Sequence, residues 1–282
     1  FPPTGEAVIL KLNPSGVVLS SAVMQPLGTL AHTLAFDGGS IYVAANRGEP
    51  TIDTGIHRYD ANLNFLSSAT LGVGAGGTMV AARGGAIYAM LDGGPLFLGG
   101  NYPAQLIKYS PSLGEISRTT YSLPSTWQTH VKAGAIDAVG SLYVAVSSMA
   151  VNPTELVKFD TNLQPVASLD VSSLAGDPGF LQLAYGSGKL YMYAAQEGPA
   201  VAFVRRFSNT LDYDGVSATI PVAGTYPWGD VSADGANIVT VGLSSATADG
   251  GDFLLRRFDP DLVDISSGLF DAGFAGADGF MS

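Results

Sequence analysis

One short pattern constrains this chain more than anything else in it. A basic residue, an aromatic or leucine, and a turn recur six times. The copies begin at Lys11, Arg58, Lys108, Lys158, Arg206 and Arg257, so the intervals are 47, 50, 50, 48 and 51 residues. The fourth copy reads Lys158-Phe159-Asp160-Thr161-Asn162-Leu163. Taken once, it packs a charge, a ring and a carboxylate together like a site. Taken six times, it is scaffold, because a fixed period of about 50 residues marks a repeat architecture.

Each copy lies between two apolar runs, as in "TELVKFD" and "LQPVASLDV" around the fourth turn. Alternating β-favouring residues on either side of an Asx-rich turn predict a β-hairpin. Asn, Asp and Ser lead these turns because their side chains bond the backbone two residues on. A second kind of hairpin alternates with the first, at 34–46, 79–91, 135–147, 181–195 and 230–244. Each pairs two apolar strands through a Gly-rich turn. Four strands per repeat is the grammar of a β-propeller blade, and no stretch of usable length has helical periodicity. The expected fold is therefore all-β, one β-propeller domain over 1–282, with about six four-stranded blades. Small residues such as Ala35, Ala81 and Ala133 suit the narrow end of a tapering blade.

The ends do not balance: there are six hairpins of the first kind and five of the second. The chain opens in a hairpin of the first kind, at about 7–24, and closes on "DAGFAGADGFMS". The first expectation is a sixth blade built from both termini and left incomplete if the tail is too short. The alternative is five blades with an extra hairpin.

Composition fits buried sheets. Hydrophobic residues make up 46% and charged residues 13%, against about 25% charged in an ordinary domain. Yet no apolar run reaches the ~18 residues of a membrane span. The net charge of −11 argues against nucleic acid, whose phosphates need a basic face. With no cysteine, there is neither a disulfide framework nor a thiolate site. Residue 1 is Phe rather than Met, which suggests a processed product or a fragment. Asn13 and Asn152 are each followed by Pro, which removes both as N-glycosylation acceptors.

"AVILKLNPSGVVLSSAVM" near the start and "WGDVSADGANIVTVGLSSATADGGDFLLRRFDPDL" near the end resemble prokaryotic extracellular β-propeller repeats, the SBBP-like repeats. That family runs D-x-x-G-N-x-Y-V-T-G, a loop, then D-x-F-x-x-K-x-[ND]-x-x-G. The resemblance implies a propeller at the cell surface or outside the cell. It implies no catalytic residues, since the family shares none.

Function is expected on the irregular loops 47–55, 91–105, 147–155, 196–202 and 244–252, because variable loops on a regular scaffold carry binding. Trp127 and Trp228 are the only tryptophans, and each stands just before the first strand of a blade. His130 and His32 hold corresponding positions, and Asp230 follows Trp228 closely. An aromatic–imidazole–carboxylate group could bind a sugar or another small ligand; alternatively, large aromatics simply fill gaps. His57, beside Arg58, is expected at a blade surface. Asp249 and Asp252 are weak candidates for Ca²⁺, with Glu49, Asp53, Asp92, Glu155 and Glu197 in equivalent loops; the bland reading is solvated acidic loops. No GxSxG or HExxH motif and no paired carboxylates stand out, so an enzyme is the less favoured class. "GVGAGG" at 72–77 imitates a dinucleotide fingerprint but leads into a hairpin rather than a helix. "GSGK" at 186–189 lacks P-loop spacing.

Two functions follow. The first is a non-enzymatic extracellular or cell-surface module that binds a protein partner or self-assembles. The second is a propeller that binds or processes carbohydrate, using Trp127, His130, Trp228, Asp230 and His32.

Overall fold

The computed structural model describes residues 7–13, 18–24, 29–47, 53–73, 78–92, 102–123, 129–148, 154–175, 178–196, 201–221, 229–234, 236–243 and 253–270. They form strands in chain order, with a one-turn helix α1 (Ser172–Ala175). β1 (Val8–Leu12) and β2 (Val18–Val23) make a two-stranded sheet. The first four-stranded sheet is β3 (Thr29–Asp37), β4 (Ser40–Arg47), β5 (Asp53–Asp60) and β6 (Phe65–Val73). The second is β7 (Thr78–Arg83), β8 (Ala86–Leu91), β9 (Ala104–Tyr109) and β10 (Glu115–Tyr121). The third is β11 (Thr129–Ile136), β12 (Leu142–Ser148), β13 (Thr154–Phe159) and β14 (Pro165–Asp170). The fourth is β15 (Pro178–Gly186), β16 (Lys189–Gln196), β17 (Val201–Phe207) and β18 (Tyr213–Pro221). The fifth is β19 (Gly229–Asp234), β20 (Asn237–Leu243), β21 (Phe253–Phe258) and β22 (Asp264–Phe270).

One four-stranded antiparallel sheet per repeat makes the fold class a β-propeller. The described residues give five such sheets and a separate hairpin, which matches the alternative count. The six-blade count is not reached within them, and residues 271–282, expected to complete a sixth, lie outside them. The chain divides into two compact units, Phe1–Val131 with Ser282, and Lys132–Met281. In the first, the β1–β2 hairpin packs on the first sheet and the first sheet on the second. In the second, the third sheet packs on the fourth and the fourth on the fifth. The stretch after "GVGAGG" is β7 and "GSGK" turns from β15 to β16, so neither motif meets a helix.

The recurring turn is built identically five times. In the third sheet, Asp160 N donates to Gln164 O at 2.9 Å and Leu163 N to Asp160 O at 3.0 Å. Asp160 Oδ1 accepts from Asn162 N and Gln164 N at 2.9 and 2.8 Å. Asp60 and Asp259 repeat this, and Ser208 does so through its hydroxyl. The leucine of each motif (Leu63, Leu113, Leu163, Leu211, Leu262) takes a left-handed φ between 59° and 70°. That conformation costs about 1–2 kcal/mol. All five leucines are buried, which stabilises by about 1.5–3 kcal/mol each and offsets the strain. In the other hairpins the tight turns fall on Gly38-Gly39, Gly84-Gly85 and Ser187-Gly188. Both central residues have positive φ there, as a type I′ turn requires.

The motif's other two members point to opposite faces. The aromatic packs on the preceding sheet: Tyr59 against the hairpin, Tyr109 against the first sheet, Phe207 against the third, Phe258 against the fourth. In three copies the basic residue reaches forward, whereas Arg58 donates to Ser40 Oγ of its own sheet. Lys11 Nζ donates to Ala61 O at 2.9 Å, Lys158 Nζ to Asn209 O at 2.8 Å and Arg206 Nη1 to Pro260 O at 2.7 Å. Each accepting carbonyl belongs to the recurring turn of the next sheet. A tyrosine opposite the basic residue on the second strand does likewise. Tyr42, Tyr143 and Tyr191 donate to Pro111 O, Asn209 O and Pro260 O at 3.1, 2.9 and 3.0 Å. The motif is therefore a two-sided connector. The Lys158 ammonium lies 5.1 Å from the centre of the Tyr143 ring, with its hydrogen bond on the next sheet.

Candidate functional site

The most developed polar group among the described residues joins Asp92 and His130. Asp92 follows β8, and His130 is the second residue of β11. Both are buried. The Asp92 carboxylate accepts from His130 Nδ1 at 3.0 Å and from Val131 N at 2.6 Å. Tyr102 O and Thr129 N bond at 3.1 Å, and Thr129 Oγ1 accepts from Leu123 N at 3.0 Å, pinning the start of β11. With Nδ1–H turned to a carboxylate, a neutral imidazole presents Nε2 as an acceptor. That atom is buried and has no hydrogen-bond partner among the described residues. The pair can accept a proton or a hydroxyl hydrogen bond at Nε2. It also clamps β11 to the end of β8.

Asp92 was expected to be a solvated loop acid, and burial of its carboxylate corrects that. No local pattern joins positions 92 and 130; only the fold does. His57, expected at a surface, is also buried, with Nδ1 unpaired among the described residues, and burial pushes its imidazole below the ordinary value.

Asp230 lies on β19, in the other unit from His130. Its Oδ1 accepts from Val231 N at 2.7 Å. The side chain keeps a path to solvent, yet surrounding protein displaces enough water to push the carboxyl above the usual carboxylate range. Next to it, a Cβ at Gly229 would lie 2.2 Å from Tyr193 Oη, so only glycine fits. The Tyr193 hydroxyl is buried without a partner among the described residues. Burial, then the Asp230 charge, pushes it up.

Trp127, Trp228, Asp249 and Asp252 lie outside the described residues, and of His32 only the backbone, in β3, is described. The structure thus brings His130 to Asp92. Among the described residues no group of three or more His, Asp or Glu converges as a metal site. No helix there is long and apolar enough to cross a membrane.

No protein-family model matches the chain, and no curated protein matches it. Solved structures do. The subtype N10 neuraminidase-like protein of a little yellow-shouldered bat isolate from Guatemala aligns with TM-score 0.57 at 11% identity, over 85% of this chain and 82% of that one. An ACO/RPE65 chimera aligns with TM-score 0.53 at 10% identity, over 95% and 68%. The dihydro-heme d1 dehydrogenase NirN aligns with TM-score 0.51 at 14% identity, over 94% of this chain and 52% of that one, so the chain spans about half its length. At such identities the likeness establishes the propeller fold and carries no activity across.

Proposed function

We propose that this chain is an extracellular or cell-surface binding module that accepts strands from a protein partner. One observation carries the reading. The β1–β2 hairpin holds the positions that third and fourth strands hold in every other sheet, and β1 pairs only with β2 among the described residues. Its far edge offers a row of backbone donors and acceptors, the template on which strand addition works. The net charge of −11 keeps such a surface soluble and steers it toward neutral or basic partners.

The test uses a peptide probe with the sequence of residues 129–148, the strand pair that completes a blade elsewhere. Added to the whole protein, it is expected to bind and to slow amide exchange at Val8–Leu12, while a scrambled peptide does neither. No binding, with β1 amides already protected in the protein alone, contradicts the reading.

A second reading is favoured by the Asp92–His130 pair. An orientated imidazole with a buried, unpartnered acceptor atom suits recognition of a sugar hydroxyl that displaces what covers it, with Trp127 and Trp228 as stacking partners. A glycan array tests it: binding that His130→Ala abolishes supports carbohydrate recognition, and an array without signal ends it.

A further inference from the structure

Among the described residues, the β1–β2 hairpin is held to the first sheet by one small joint. Ile9 and Met24 pack on Val43, Tyr59 and Leu63, and Lys11 adds its hydrogen bond to Ala61 O. A two-stranded sheet is marginal by itself, so this joint decides whether the hairpin stays ordered.

One position in the joint breaks the repeat. Ile107 and Val157 stand just before Lys108 and Lys158 in the second and third sheets, whereas His57 stands just before Arg58 in the first. His57 lies opposite Val43 on β4, so it shares the face on which the hairpin sits. It is 6% exposed, and its Nδ1 has no partner among the described residues. The Phe65 ring stands 6.4 Å away, centre to centre.

The described surroundings suit an uncharged imidazole. β4 presents Val43, and β6 presents Phe65 and Ser68, none of which ionises. Tyr59 faces the same way from β5. Lys11, two residues after Ile9, is the charged side chain that the hairpin turns toward the first sheet, and it is a cation. The Asp60 carboxylate, in the adjoining turn, is taken up by Asn62 N, Asn64 N and Asn64 Nδ2. The side chains of Glu6 and Asp53 lie outside the described residues. A protonated imidazole has two N–H donors and a net charge to satisfy, and a buried charge without a partner is expelled rather than tolerated.

We propose that His57 is an acid-operated latch: a proton on its imidazole expels the β1–β2 hairpin from the first sheet while the four-stranded sheets stay folded. The proton goes to the ring nitrogen that carries none, and its loss lets the hairpin dock again. The sign follows from burial, which lowers the imidazole below its ordinary value. Docking is stable above the unfolded value, about 6.5, and is lost as pH falls through the folded value. The latch goes beyond the strand-accepting reading and stands without it, because it opens and closes with no peptide present.

The chain has no cysteine, so a single introduced thiol reports on the joint. Ile9→Cys places it under the hairpin, and Ile56→Cys places it against the second sheet; both positions are buried. The probe is dithiodipyridine, which reacts with thiols in acid, with rates divided by those of a free thiol at the same pH. Between about pH 7.5 and about pH 5, Ile9→Cys should label at least about tenfold faster, since each pH unit below the folded value shifts the balance up to tenfold. Ile56→Cys should hardly change, and adding His57→Val should abolish the rise. An unchanged Ile9→Cys rate, as an acid pairing with the imidazolium in place would give, overturns the proposal. So does a rise that survives His57→Val, or one that Ile56→Cys matches, which would be global unfolding. If a cysteine variant fails to fold by circular dichroism, amide exchange at Val18–Val23 of the cysteine-free chain decides, corrected for the intrinsic effect of pH. Faster exchange in acid that His57→Val removes supports the latch, and equal exchange in both chains overturns it. Peptide binding at neutral pH is a separate measurement, so either reading can fail alone.

Discussion

Leu156 and Leu255 occupy the same place in two copies of one motif, and only their neighbours differ. Leu156 is covered by the fourth sheet; Leu255 faces solvent. At the joint beside Leu156, one carbonyl, Asn209 O, takes both Lys158 and Tyr143. Beside Leu255, the corresponding arginine turns back on its own sheet and the tyrosine is replaced by Val239. The same local code thus yields a covered leucine in one copy and a half-exposed one in another. What separates the two is what packs on them, not the residue type.

The strongest way to break this comparison is to truncate both leucines. Leu156→Ala removes buried methyl groups and leaves a cavity, so it is expected to cost about 2–5 kcal/mol in denaturant unfolding. Leu255→Ala is expected to stay within about 0.5 kcal/mol for the isolated chain, as surface changes do. Equal losses would show that Leu255 is already part of a packed joint.

The connector's polar half gives a smaller contrast. Lys158→Met removes a charged donor to Asn209 O and is expected to cost about 1.5–3 kcal/mol. Tyr143→Phe, a neutral donor, should cost about 0.5–1.5 kcal/mol. Because the two share an acceptor, the double variant should depart from additivity by at least about 0.5 kcal/mol. Arg257→Met should be nearly silent.

His57 sharpens the comparison within the interior. It holds the position of Val157 and Ile107, and burial lowers its pKa. A group whose folded value is lowered gives stability that is present above its unfolded value, about 6.5, and lost as pH falls through the folded value. Thermal stability of the native chain should fall from pH 7 toward pH 5 by more than that of His57→Val. Parallel curves would show that His57 can be charged in place.

The smallest effect is expected at β19. Asp230 has a raised folded pKa, so its contribution favours folding below the ordinary carboxylate value, about 3.9, and is lost as pH rises through the folded value. Asp230→Asn should therefore raise the melting temperature slightly at neutral pH and leave it unchanged in acid. A fall at neutral pH would mean that the carboxylate has a favourable partner.

Much of this was legible in the sequence. The spacing of Lys11, Arg58, Lys108, Lys158, Arg206 and Arg257 predicted the hairpins, and the Gly-Gly pairs predicted the tight turns, because both signals are local. The unequal hairpin count also foretold the separate β1–β2 hairpin beside five four-stranded sheets. The sequence did not reveal what Lys158 does, since its acceptor lies 51 residues away in the next repeat. It hid Asp92 for the same reason: an acid in a loop and a histidine 38 residues later look independent until the sheets stack.

Hydrogen exchange of the native chain, with and without a peptide of residues 129–148, tests the central claim most directly. Amides of Val8–Leu12 should exchange fast in the protein alone and slow when the peptide is added. Amides already protected in the protein alone, with no peptide binding, would contradict the claim that β1 is an open strand edge.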